Sequence, residues 1–364
     1  MNDFSSLFTT QLIDWQRRHG RHDLPWQNDD DPYTIWLSEI MLQQTQVSTV
    51  RDYYLRFIAR FPTVESLAAA HEDEVLALWA GLGYYRRARH LHEAARQIVT
   101  VFGGQFPRTR HELETLKGVG RSTAAAIAAF AFRQPETILD GNVRRVLCRV
   151  FALDGDERDR AFTAALWAKA ESLLPENRDD VPAYIQGLMD LGATVCTRRP
   201  NCAACPQRLI CRAVQENRVA ELPRKKTAVT VREWDLSWLV ILSAEQEIFL
   251  EKRAAHGIWG GMWCVPCYED AAAQAAFCRE HDLPPPDVGE PFTHRLTHRL
   301  LTITPYYFRL PETQFLRSAG EAKRFAASHL GSANNARFFP LSQAAQQALP
   351  KPLSRLLQTL AGSL

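Results

Sequence analysis

The sequence has little net charge. Its 43 Lys+Arg and 41 Asp+Glu leave a formal +2, so composition does not announce a nucleic-acid binder and any such footprint must come from local clusters. No uninterrupted apolar run is long enough to cross a bilayer. Residues 1–14 have no basic segment leading into an apolar core, so no signal peptide is expected. Internal repeats and low-complexity tracts are also lacking. The expectation is an intracellular, cytoplasmic protein, in which thiols stay reduced and clustered cysteines bind metal more often than they pair. At 364 residues, 46% apolar and 23% charged, the chain has ordinary globular composition and room for about two or three domains.

The first 215 or so residues show no sustained alternation of period two and read as all-α. Helices are expected at 4–19, 33–45, 47–60, 64–70, 72–80, 86–102, 109–117, 141–151 and 183–195. Leu222-Pro223-Arg224-Lys225-Lys226 is basic and proline-broken, a linker candidate. Beyond it lie strand-like runs at 237–242, 247–251 and 301–310, with helices near 270–281, 319–329 and 342–361. That half reads as α+β.

The organising stretch is Leu116–Asp140. A short helix meets Lys117-Gly118-Val119-Gly120, where both glycines are expected to allow a tight turn with positive φ. Ser122-Thr123 then opens an alanine-rich helix whose free N–H groups could cradle a phosphate. Asp140 follows as the expected N-cap of the next helix, where the dipole should keep its carboxylate ionised and its pKa low. Glu39 is the only acid between Pro32 and Gln44, beside Trp36, Ile40 and Met41; apolar surroundings should raise its pKa. Two acids pushed apart by their settings make a general acid and an ionised partner. Breaking a nucleoside C–N bond needs both.

Cys196, Cys202, Cys205 and Cys211 lie in one short stretch. Zinc sites usually use two Cys-x-x-Cys knuckles and only Cys202/Cys205 forms one here, so a single [4Fe–4S] cluster fits better. Trp263-Cys264-Val265-Pro266-Cys267 invites a thioredoxin-like reading but lacks a strand feeding directly into a helix.

Joined at this spacing, the hairpin and Asp140 resemble the helix-hairpin-helix DNA glycosylase superfamily. Trp-Leu-Ser-Glu-Ile-Met-Leu-Gln-Gln-Thr-Gln-Val around Glu39 narrows the resemblance to MutY-type adenine DNA glycosylases, and it spans nearly the whole chain. The resemblance implies Glu39 and Asp140 as catalytic acids, with Asn142 beside Asp140. It makes Gln44 a wedge next to the orphaned base and Tyr84 its companion intercalator. Gln186 and Trp26-Gln27 would line an adenine pocket. Gly118, Gly120, Arg121 and Thr123 would hold a DNA phosphate, with Arg198 and Arg199 facing others. The four cysteines would hold the cluster, in a loop (Thr197–Asn201) one residue shorter than the family's. Ser122 stands where related glycosylase-lyases carry a Schiff-base lysine, and Arg144 is too basic to serve as an amine nucleophile. A monofunctional enzyme is implied.

Trp259-Gly260-Gly261-Met262 resembles an element of the family's Nudix-like C-terminal domain. The stretch Glu269–Glu280 is rich in alanine, and Arg279-Glu280 is followed by His281-Asp282, so a magnesium-holding Nudix helix is missing and a non-catalytic domain is expected. Leu296-Thr297-His298 matches the loop that contacts 8-oxoguanine, with Thr293-His294 as a rival register. The implied fold is multidomain: an all-α glycosylase region over 1–222, a linker over 223–232 and a Nudix-like lesion-recognition domain over 233–364. Within the first, 31–136 would form a helical barrel with the hairpin, and 1–30 plus 137–222 a cluster-bearing helical domain. The implied activity is hydrolysis of adenine mispaired with 8-oxoguanine or guanine in double-stranded DNA, by a monomer engaged in base excision repair. A glycosylase-lyase for oxidised pyrimidines and a non-catalytic DNA-binding protein are the alternatives.

Overall fold

The computed structural model describes residues 3–27, 30–224, 230–243, 245–254, 257–280, 283, 285–309 and 335–362. The expected helix at 319–329, the middle of the linker and His281-Asp282 lie outside them. Two compact units result, Met1–Ala69 with His90–Thr227, and Ala70–Arg89 with Ala228–Leu364.

The first unit is helical: α1 (Asp3–His19), α2 (Pro32–Leu42), α3 (Val47–Arg60), α4 (Val64–Ala69), most of α6 (Arg86–Val101), α7 (Arg110–Leu113), α8 (Arg121–Phe132), α9 (Gly141–Val150), α10 (Arg160–Glu171), α11 (Val181–Asp190) and α12 (Arg212–Gln215). Helix α2 starts at Asp31, whose carboxylate accepts from the Tyr33 N–H at 2.9 Å, with Pro32 in the first turn. Its residues are buried on almost every side, as the apolar run demands. Residues Ala124–Ala129 of α8 are buried too, small enough to let neighbouring helices approach. Helix α11 passes directly into a π-helical turn, Leu191–Val195, which delivers Cys196.

The expected helix 109–117 is shorter in the structure. A Thr109/Glu112 capping box starts it. After Leu113 the bonds tighten to span three residues, Leu116 N to Leu113 O (3.1 Å) and Val119 N to Leu116 O (3.2 Å). These turns feed Gly118, whose φ is +78° and where a Cβ would lie 2.9 Å from His90 Cβ. Gly120 departs from expectation: it is extended (φ −99°), and its role is to cap α8. Only Gly118 needs the glycine conformation.

The second unit holds α5 (Glu72–Trp79) and, among the described residues, an eight-stranded mixed sheet. Strands β1 (Arg232–Leu242) and β7 (Arg299–Arg309) pair in parallel along their whole length, Arg232 opposite Arg299 and Leu242 opposite Arg309. Side chains alternate across β1. Leu236, Trp238, Val240 and Leu242 face a core shared with Leu353 and Leu357 of the helix Lys351–Gly362. Leu239 and Ile241 face the other way, toward Phe277 of α13 (Ala271–Glu280) and Phe308. Residues 70–89 join this unit through an Asp73–Lys252 ion pair and through Tyr85, which packs on the Trp259/Met262 core.

Candidate active site

Glu39 sits on α2 and lines a cleft of about 270 Å³ with Gln16, Arg21, Trp26, Gln27 and Gln186, among others. Desolvation by its apolar surroundings, reinforced by the charge of Asp140, raises its pKa from 4.5 to about 7. The expected direction and cause both hold. Asp140 caps α9, accepting from Val143 N–H at 2.7 Å. Its pKa, however, is raised and not lowered. Desolvation outweighs the N–H groups of Val143 and Asn142 and the charges of Arg145 and Arg144. Dipole and cap are present, but crowding by protein around the carboxyl is the larger effect. Asp140 is not among the residues lining the cleft; the two acids meet through their field.

Ser122 Oγ accepts from Leu139 N–H at 3.1 Å, anchoring the residue before Asp140. Asn142 Oδ1 accepts from Arg145 Nη2 at 2.8 Å, and Arg145 also donates to the carbonyls of Cys196 (2.6 Å) and Gly192 (2.7 Å). A Cβ on Gly192 would meet Asn142 Cβ at 2.7 Å, so only glycine lets the π-turn approach α9. Buried Arg149 donates to Thr197 O (2.6 Å), Cys196 Sγ (3.4 Å) and Leu222 O (2.9 Å). One helix thus carries the Asp140 cap at its start and holds the cysteine loop along its length.

All four cysteines of that loop line one small cavity of about 20 Å³. Burial, with the other three thiols adding to it, pushes Cys205 up to about 12. Among the described residues, no three His, Cys, Asp or Glu side chains are placed to hold a single metal ion. Arg198 and Arg199 are exposed.

In the hairpin, Arg121 lies over the Trp167 ring (3.9 Å) and pairs with Glu171. Thr123 Oγ1 accepts from Gln43 Nε2 at 3.3 Å, and Gly118 O is 3.4 Å from the same nitrogen. Gln43, which sequence reasoning passed over, ties the end of α2 to the hairpin. Gln44 follows it, exposed and with φ +58°. Gln27 Oε1 accepts from Leu24 N–H at 3.2 Å, and Trp26 packs edge-on to Tyr54. Gln186 Nε2 donates to Asp190 Oδ1 at 2.8 Å. Arg21, His22 and Asp190 were likewise missed; the Gln186/Asp190 spacing of four residues on α11 was the available signal.

In the second unit Tyr84, 46% exposed and with φ +50°, brings its hydroxyl within 2.6 Å of Thr297 Oγ1. Thr297 and His298 form the exposed connection from β6 (Phe292–Arg295) to β7. The rival Thr293-His294 lies inside β6, with His294 against Trp259. Cys264 and Cys267 belong to short strands of the sheet, and neither opens a helix.

A helical hairpin unit followed by a mixed-sheet unit agrees with the family comparisons. Residues 37–172 match the HhH-GPD superfamily of base excision DNA repair proteins, and residues 237–359 match the NUDIX domain. Over 304 residues the chain is 36% identical to an adenine DNA glycosylase of Buchnera aphidicola subsp. Baizongia pistaciae, covering 83% of this chain and 86% of the relative. The same-named protein of Buchnera aphidicola subsp. Schizaphis graminum is 31% identical, covering 97% and 98%. The solved structure of a thermostable thymine-DNA glycosylase is similar at TM-score 0.54 and 30% identity, covering 59% of this chain and 98% of its own. The chain belongs to the adenine DNA glycosylase family.

Proposed function

We propose that the chain hydrolyses the N-glycosidic bond of adenine mispaired with 8-oxoguanine or guanine in duplex DNA. The observation that carries this reading is Glu39, held up to about 7 on the wall of a cleft of about 270 Å³, with the Asp140 charge acting on it. Glu39 carries the transferable proton, and Asp140 supplies the charge that acts on it. Glu39 gives its proton to the extruded adenine as the C–N bond breaks, while Asp140 stabilises the cationic sugar. Water then adds to the sugar carbon, and its proton returns to Glu39. Ser122, occupied with Leu139 N–H, offers no amine for a Schiff base, so the abasic strand stays intact.

The hairpin N–H groups and Arg198 and Arg199 would hold DNA phosphates, Gln44 and Tyr84 would fill the stack, and Thr297 and His298 would read the opposite base. The cysteine set fits a [4Fe–4S] group: four thiols line one cavity, and the second Cys-x-x-Cys knuckle usual for zinc is missing from their spacing. Bound there, the cluster would supply rigidity to the loop that Arg145 and Arg149 hold against α9. Helix α13 carries one acid, Glu280, in place of a set that could hold magnesium, and the second unit would recognise without cleaving.

The test incubates the protein with duplexes containing A:8-oxoguanine, A:C or thymine glycol and looks for strand breaks before and after alkali. Breaks at adenine only after alkali are expected. Breaks without alkali would mean a lyase; retained binding without any cleavage would mean a DNA-binding protein.

A further inference from the structure

Asp190 is fully buried and has no part in the proton transfers above. Its Oδ2 accepts from Arg21 N–H at 2.9 Å. Its Oδ1 accepts from Arg21 Nε and Nη2, each at 2.7 Å, and from Gln186 Nε2 at 2.8 Å. The backbone is drawn in to permit this: a Cβ on Gly20 would stand 3.0 Å from Oδ2 and 2.5 Å from Gln16 O. Arg21 and Gln186 line the same cleft as Glu39. Two polar cleft residues therefore hang on one buried carboxylate.

An ionised carboxylate only accepts hydrogen bonds, so the Gln186 amide can face it only with its NH2 end. Turning the amide over would set oxygen against oxygen in a buried place. With one N–H spent on Asp190, Gln186 keeps its carbonyl oxygen and its second N–H. With the N–H trans to the carbonyl given to Asp190, the oxygen and the cis N–H remain side by side on the amide. Adenine offers a matching edge, an amino donor at N6 beside an acceptor at N7, whereas a 6-oxopurine offers two acceptors.

We propose that Asp190 is a positioning residue that sets base specificity: it locks the Gln186 amide in the one orientation that pairs with adenine and opposes a 6-oxopurine. This rests on the adenine-releasing function proposed above. It adds that selectivity among purines is fixed one residue behind the cleft wall.

Single-turnover base release by the full chain, from duplexes carrying adenine or hypoxanthine opposite the same base, tests the proposal with Asp190→Asn. Asparagine can turn either end toward Gln186, so the adenine-over-hypoxanthine rate ratio is expected to fall about 10- to 100-fold. A residue that merely supported the fold would lower both rates together, and an unchanged ratio overturns the proposal. Losing the partner of Arg21 can also unfold the variant, so a second measurement uses the unaltered chain. In a ¹⁵N spectrum, the side-chain amide that vanishes in Gln186→Met should show one N–H protected from solvent exchange and one exchanging freely. Two protons exchanging at the same free-amide rate overturn the proposal. Should the native chain release adenine from no duplex, the functional reading fails, while the amide signal still decides whether Asp190 holds Gln186.

Discussion

Glu39 and Asp140 occupy opposite kinds of place in the same helical unit. Glu39 lies within α2, surrounded by apolar side chains; Asp140 begins α9, where backbone N–H groups and a helix dipole face it. Burial raises both. What separates them is compensation. Asp140 has two N–H donors and two arginines opposing its desolvation, whereas Glu39 has desolvation and a neighbouring negative charge pushing the same way. Charge settles where donors are, and the proton settles where they are not.

The contrast breaks most visibly at Asp140. Asp140→Asn keeps an N-cap acceptor but removes the charge, so base release should fall by about 10³-fold or more while DNA binding persists. Rapid-quench assays with parallel binding titrations would show it; lost binding or intact turnover contradicts the assigned role. Glu39→Gln should slow release by about 10²- to 10³-fold. In the native protein the rate should fall about tenfold per pH unit above pH 7, because the acid must carry its proton, and fall again in acid once Asp140 is protonated and its charge is lost.

Stability sharpens the same comparison. Glu39 binds its proton more tightly folded than unfolded, so its contribution is full below pH 4.5 and is lost as pH rises through about 7. Glu39→Gln should therefore be more stable than wild type at pH 8, by about 3 kcal/mol at most, and show no such gain at pH 4. Chemical denaturation at the two pH values would measure it. In the hairpin, Gly118→Ala should weaken DNA binding about tenfold, through positive φ and the His90 clash, whereas Gly120→Ala should change it less than twofold. A small effect on specificity belongs to Tyr84→Phe. Removing the hydroxyl that meets Thr297 should cost about 1 kcal/mol or less, read as a few-fold loss of preference for 8-oxoguanine over guanine opposite adenine.

Features set by local pattern were legible in the sequence. The burial of α2 and the raised Glu39 followed from one acid in an apolar run, and the Asp140 cap from its place before α9. The convergence of the cysteines followed from their spacing. Features set by what comes from afar were not. The sign at Asp140 depends on how densely protein surrounds its carboxyl, which no neighbour in sequence announces. Gly120 looked like Gly118, but only the second is pressed against His90. Gln43, Arg21 and Asp190 bond residues distant in the chain or one turn behind the cleft wall, so nothing adjacent marked them. Residues 70–89 pack with the sheet through Asp73 and Tyr85, which helical periodicity could not reveal.

The most direct measurement is the titration of the Glu39 carboxyl by ¹³C NMR in wild type and in Asp140→Asn. It should titrate near pH 7 in the first and at a distinctly lower pH in the second, because part of the shift comes from the Asp140 charge. An ordinary value near 4.5 in wild type, or a raised value indifferent to Asp140, would contradict two acids sharing one reaction.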